Sequence, residues 1–318
     1  MKGDQTAAVA VLGAGTMGHS IALAAALAGK SVRMWGVSAA DLTTAEQRMR
    51  RKLATLTAEK ALSEREGDRV LARIAFTESL RWCVEGVPLI VEATPEDLEH
   101  KQTFFQTVEP FCDSDGIIAS NSSGLLPTAI FAQMDRPDRA MVMHFWNPAH
   151  LMPLVEVVPG RQTSGESVDR ALDSARQWGK QAIVVHREVP GYLGNRLQYA
   201  LFREAQYLLD QGVASAADID IAVELTLGRR LGVTGPFRTA DMGGLDVFHA
   251  ISGYLFPTLS AERESGGSLR ALVEQGAIGE KVGRGFYEWP DDIVRAVDRA
   301  RERELIRWWV RDREATGD

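Results

Sequence analysis

Two apolar runs near the middle of the chain each carry one ionisable residue. "RAMVMHFW" (139–146) ends with His144 beside two aromatic residues, and "PLVEVVPG" (153–160) holds Glu156 among valines. A carboxylate in such a run is costly to bury without a partner. The reversal between Pro148 and Pro153 returns the chain so that the neighbouring strand's histidine can supply one. The pair fits general-base chemistry, with His144 taking a hydroxyl proton while Glu156 orients the ring and stabilises imidazolium. A purely structural His–Glu pair would use the same two residues. His150 follows, but no Cys/His cluster of metal-like spacing accompanies it, so no metal site is expected.

A second constellation opens the chain. Gly13, Gly15 and Gly18, with Thr16 and Met17 between them, stand between an apolar run (7–12) and the Ala-rich "HSIALAAALAGK". Such glycines permit a tight turn, let backbone N–H groups approach a pyrophosphate, and let helix and strand pack closely. The anion then sits at a helix N-terminus. "SVRMW" supplies a second strand, completing the βαβ context that a dinucleotide fingerprint requires. An acidic residue should follow it to hold the adenosine ribose, and Gly36 stands there instead. Losing that carboxylate admits NADP beside NAD. Arg33 lies within the strand and no arginine follows directly, which leaves a phosphate clamp incomplete and NAD ahead.

Two polar stretches complete the set. "ASNSSGLLP" ends a predicted strand at Ser120–Ser123, where open α/β sheets place ligands, although a solvated turn reads the same way. "VPGYLGNR" puts Asn195 in the first turn of a later helix, from where an amide can reach back toward a cleft between domains or simply bond local backbone.

These residues need a scaffold. Strand signals recur at 88–94, 116–123, 139–146, 153–160 and 181–188, with a helix near 99–108 and two charged helices, a projecting pair, between Leu42 and Glu78. Strands alternating with helices predict a parallel doubly wound sheet. After Pro190 only helical patterns follow, near 195–212, 216–228, 241–256, 268–275 and 292–311. The expected fold is therefore α/β, a Rossmann-type doubly wound, mostly parallel sheet (1–189) followed by an all-α domain (190–318).

Composition narrows the classes. The 318 residues carry 36 Lys and Arg against 43 Asp and Glu, a net charge of −7, which argues against nucleic acid as a partner. Two cysteines make no disulfide framework and fit a reducing, cytoplasmic setting. The short N-terminal apolar run is interrupted by glycines and reads as a strand and not as a signal peptide, and no apolar stretch is long enough to span a membrane.

Taken together, "GAGTMG", "IVEATPEDLEHK", "SNSSGL", "HFWNPAHLMPLVEVV", "VPGYLGNR" and "GEKVGRGFYEW" resemble the 3-hydroxyacyl-CoA dehydrogenase family, in the family's order, from about Ala8 to Trp289. The resemblance implies reversible oxidation of an (S)-3-hydroxyacyl thioester by NAD, with a homodimer formed through the helical domains. It implies His144 as catalytic base and Glu156 as its partner, with Ser123 and Asn195 bonding the substrate oxygen and helping to hold the nicotinamide. It also implies Glu96 and Lys101 near the cofactor's ribose and Lys281 closing over it. In the family, residues of the projecting helices meet CoA; here Arg48, Arg50, Arg51, Lys52 and Lys60 supply charge, which a solvated helix face would also explain. Relatives of this shape oxidise hydroxyl groups of sugar acids, carnitine or pyridine acids without CoA, so a small-molecule carboxylate stands beside an acyl-CoA as substrate. A non-catalytic dinucleotide-binding protein would need the glycine loop but not the Ser123, His144, Glu156 and Asn195 set. The charged tail after Trp289 lies outside the resemblance.

Overall fold

The computed structural model describes residues 9–316. They form two compact units, one running to Asn195 and resuming at Arg299, the other spanning Arg196–Asp298.

In the first unit the chain runs β1 (Val9–Leu12), α1 (Thr16–Leu27), β2 (Val32–Trp35), α2 (Ala39–Ala58), α3 (Glu64–Leu71), β3 (Ile74–Thr77), α4 (Leu80–Val84), β4 (Leu89–Glu92) and α5 (Leu98–Val108). It continues through β5 (Ile117–Ser120), α6 (Pro127–Ile130), β6 (Ala140–Phe145), β7 (Leu154–Pro159), α7 (Gly165–Gln177) and β8 (Gln181–Val184). The strands make one sheet in the order β3-β2-β1-β4-β5-β6-β7-β8. Every pairing is parallel except β6–β7.

Strand alternation assigns the side chains to two cores. Val9 and Val11, with Met141, Met143 and Phe145, pack under α1, α2 and α7. Ala10, Leu12, Ala140 and Val142 face the other side, under α4, α5 and α6. β1, β4 and β5 are buried on both faces, as the continuous apolar runs require. The segment read as a pair of charged helices also contains β3, an edge strand with only Ile74 buried. A half-exposed edge strand carries no apolar run to announce it.

The second unit holds α8 from Arg196 onward (the helix spans Gly194–Asp210), α9 (Ala216–Ala222), α10 (Gly228–Leu231), α11 (Pro236–Gly243), α12 (Leu245–Leu255), α13 (Gly267–Glu274) and the start of α14 (Asp291–Thr316). The single helix expected at 241–256 is broken by Gly244, whose φ of 91° no helix accommodates. Among residues 196–298 only Gln206, Ser260 and Ala277 are buried, while Phe237, Met242, Tyr254 and Phe256 are exposed.

The division of the chain differs from a two-part split at 189/190, because residues 299–316 of α14 pack on the first unit. Ile306 is 3% exposed in the core under α1 and α2, and Leu305, Trp309 and Val310 pack beside it. Arg303 Nε adds a 3.0 Å bond to Glu59, the residue that caps the C-terminus of α2. Apolar residues on one face of a charged helix give the tail its docking side. Ile306→Ala should therefore cost about 2–5 kcal/mol of stability in urea unfolding, the range for truncating a buried isoleucine. A loss under about 0.5 kcal/mol, the scale of an exposed position, would mean that the tail is not docked in solution.

Candidate active site

The antiparallel pairing sets the central geometry. His144 and Glu156 are direct partners in the β6–β7 register, so both side chains leave the same face. His144 Nδ1 lies 2.7 Å from Glu156 Oε2, and both residues are buried. Trp146 Nε1 donates to the same oxygen at 3.3 Å, and the backbone N–H groups of Leu193 and Gly194 donate to Oε1 at 2.9 and 3.0 Å. Burial alone would raise the Glu156 carboxyl; the bonds from His144, Gly194 and Leu193 outweigh it and hold the group below its ordinary range. His144 Nε2 makes no hydrogen bond among the described residues.

The backbone donors come from the turn that precedes α8. Gly191 and Tyr192 both have positive φ, 75° and 50°, and Tyr192 is fully buried with its hydroxyl donating to Leu125 O at 2.7 Å. Gly194 then passes so close to Trp146 that an added Cβ would sit 2.2 Å from the indole. Sequence reasoning assigned this turn only Asn195. Its backbone contribution to Glu156 left no side-chain signal.

Asn195 Nδ2 donates to Ser123 O at 2.8 Å, which ties the start of α8 to the loop after β5. Ser123 itself is exposed at the carboxyl edge of the sheet. Glu96 organises that loop, with Oε1 accepting from Ser122 Oγ at 2.6 Å and from the N–H groups of Ser123 and Gly124 at 2.9 and 3.2 Å. Lys101 is 1% exposed, donates to Glu92 Oε1 at 2.7 Å and lies 3.8 Å from Glu96 Oε2, so the two residues expected near the ribose are neighbours. Glu92 ends β4, directly opposite Ser120, whose hydroxyl donates to Oε2 at 2.5 Å. This buried acid was overlooked, although "LIVEAT" carries the same signal that marked Glu156.

The glycine loop fits a dinucleotide's pyrophosphate. Gly13 has φ 120° and passes against Ala93 O; a Cβ on Gly18 would fall 1.8 Å from Gly13 O, so only glycine lets helix meet strand here. A Cβ at Gly15 would meet nothing, and no side chain caps the N-terminus of α1. Uncapped N–H groups facing open space are the arrangement an anion completes. Gly36 is buried, and an added Cβ would press on Leu42 at 2.7 Å. Arg33 turns away to Trp82 O and Glu85 O at 2.9 and 2.8 Å. Lys281 lies exposed in a one-turn helix, 280–282, of the second unit. His150 is buried against Ser20 Oγ at 3.0 Å. Burial holds both thiols up at about 12, which removes them as nucleophiles.

A depressed carboxyl lends stability above its unfolded value and loses it as pH falls through the folded one. Native protein should therefore lose part of its stability below about pH 4.3, the unperturbed Glu value, and Glu156→Gln should flatten that acid limb. Equal slopes of urea midpoint against pH for the two proteins would contradict the assigned bonds.

Comparison with known proteins places this geometry. The family model for the 3-hydroxyacyl-CoA dehydrogenase NAD binding domain matches residues 8–189, and that for the C-terminal domain of the same family matches residues 191–289. A 5-formyl-3-hydroxy-2-methylpyridine 4-carboxylate 5-dehydrogenase from Mesorhizobium japonicum is 31% identical over 94% of this chain and 96% of its own length. A crystal structure of a 5-dehydrogenase of that pyridine acid, described as an NAD+-dependent dismutase, superposes with a TM-score of 0.88 at 30% identity, covering 95% of this chain and 96% of that one. The (S)-3-hydroxybutyryl-CoA dehydrogenase of Ralstonia eutropha gives 0.75 at 32% identity, over 90% of this chain and 100% of that one. With both family models in tandem and relatives matched nearly end to end, the chain belongs to the 3-hydroxyacyl-CoA dehydrogenase family of NAD-binding oxidoreductases.

Proposed function

We propose that this oxidoreductase moves a hydride between NAD(H) and the hydroxyl-bearing carbon of a small 3-hydroxyacyl compound, thioester or free acid, with His144 as the base. The observation that carries the reading is the buried His144–Glu156 dyad with Nε2 left unbonded. Glu156 fixes Nδ1 as the protonated nitrogen, so Nε2 is the atom that takes the hydroxyl proton. The same carboxylate stabilises the imidazolium that results. Gly13, Gly15, Thr16, Met17 and Gly18 would hold the pyrophosphate, and Glu96 the nicotinamide ribose. NAD+, when bound, accepts the hydride. Ser123 Oγ and Asn195 hold the substrate oxygen as negative charge develops on it.

NAD is favoured over NADP by what surrounds Gly36. Ser38 caps α2 through Asp41, whose carboxylate accepts from Ser38 Oγ at 2.8 Å, so a 2′-phosphate would meet an acid and no arginine. A free carboxylate substrate, the second reading, is favoured by the match to a pyridine-acid dehydrogenase over 94% of the chain.

Self-association follows from the helical unit. Phe237 is 87% exposed and Met242 78%, in a unit with three buried residues, so its apolar faces need a cover. A second copy of the chain is the occupant we propose, because Phe237 and Met242 together present an apolar face that an identical unit can cover.

His144→Gln should retain NADH binding and lose about 10²–10⁴-fold in turnover, the usual worth of a positioned base. Glu156→Gln should lose less, and Asn195→Ala should lower kcat more than it raises KM. Near-normal turnover in the His144 variant, or tenfold higher kcat/KM with NADP, would overturn the corresponding part of the proposal. Sedimentation equilibrium should give twice the chain mass, and Phe237→Asp should shift it toward monomer; a monomeric native protein would refute the dimer.

A further inference from the structure

The charged face of α2 does not lie wholly in water. Arg50 does, paired with Glu46 at 2.6 Å. The half-buried Arg48, Lys52 and Thr55, with the exposed Arg51 at the rim, line a cavity of about 350 Å³, which Thr16 and His19 of α1, Asn147 and Glu302 of α14 complete. Among the described residues the guanidinium groups of Arg48 and Arg51 have no acidic partner, and Lys52 has only Glu302, at 3.8 Å. His19 is 3% exposed, with Nδ1 against Gly15 O at 2.8 Å and its buried Nε2 left without any partner. Burial, followed by the charges of Lys52, Arg48 and Arg51, holds this imidazole below its ordinary range.

We propose that this cavity binds the carboxylate of a compact substrate. Three cations against one acid leave it positive, and an anion would both neutralise the excess and give His19 Nε2 a partner. A nucleotide is a poorer occupant. The volume lies near the lower end of small-molecule sites, about 300–1,000 Å³. The 2′-phosphate of NADP is too far away, because Arg48 stands ten residues past the Ser38 cap, roughly 15 Å along the helix. Glu302 belongs to the docked tail, beyond residue 289 where the family models end, so this wall is a feature of the chain's own extension. The inference rests on the dehydrogenase reading only in assigning the carboxylate to its substrate.

Binding is therefore tested without turnover. Full-length protein saturated with NADH is titrated with malonate by calorimetry in 0.15 M salt, about one Debye length of 8 Å, and separately with inorganic phosphate and with adenosine 3′,5′-bisphosphate. Malonate should bind without displacing NADH. Arg48→Met and Arg51→Met should each weaken it about tenfold, the scale of one charge-assisted bond, and Glu302→Gln should tighten it, while NADH affinity stays within about twofold and so reports intact folding. Absence of malonate binding, displacement of NADH, or unchanged affinity in the variants would overturn the proposal. Tighter binding of phosphate or of the bisphosphate, lost in the same variants, would overturn the assignment to a carboxylate. Failure of hydride transfer with hydroxy acids, with malonate binding intact, would count against the dehydrogenase reading alone.

Discussion

A carboxylate with no exposure, in the one antiparallel ladder of an otherwise parallel sheet, imposes its needs on everything near it. Antiparallel pairing sets residues directly opposite each other, and that is what delivers His144 to Glu156. The ring satisfies one oxygen, shared with Trp146, and the other needs donors from outside the sheet. These are the N–H groups of Leu193 and Gly194, and they arrive only because Gly191 and Tyr192 turn through positive φ and Gly194 has no side chain to strike Trp146. The strain of a buried tyrosine at φ 50° is thus repaid in the stability of one anion.

The sheet buries a second acid, and the contrast supports Glu156 over Glu92 as the acid of the proposed proton transfer. Glu92 meets a full cation, Lys101, with Ser120 and Thr94 hydroxyls around it, so its charge is already neutralised. Glu156 meets neutral amides, an indole and an imidazole. In the proposed mechanism that carboxylate pairs with an imidazolium once His144 takes the hydroxyl proton. Low dielectric around both groups strengthens that pairing. Glu92 serves a different end, locking β4, β5 and α5 together at the edge where the glycine loop, Ser123 and Asn121 emerge.

What could be read from residues alone follows the same physics. An acid stranded among valines pointed to its partner, and the short reversal between two strands fixed which histidine that was. Glycines whose added Cβ atoms would strike backbone announced the βαβ turn. β3 escaped because an edge strand need not be apolar, and the break at Gly244 escaped because a lone glycine does not show its φ. Lys101 entered only through the family resemblance, and nothing local in a polar helix shows that its ammonium is buried on Glu92. The tail read only as a charged helix outside the family resemblance, since Ile306 and Trp309 are too sparse among arginines to advertise a docking face.

That tail changes the electrostatics of the first unit as well as its packing. The chain as a whole is negative, and a negative field does nothing to gather small anions. Attraction must then be local, from cations clustered at one place on the first unit. Ile306 and its neighbours anchor the helix by apolar contact, which salt does not screen, so Glu302 is fixed beside Lys52 whatever the ionic strength. An acid held in this way trims the positive excess of Arg48, Arg51 and Lys52 without cancelling it. The net charge that the proposed carboxylate meets is thus set in part by apolar burial at Ile306, a residue outside the lining of the cavity.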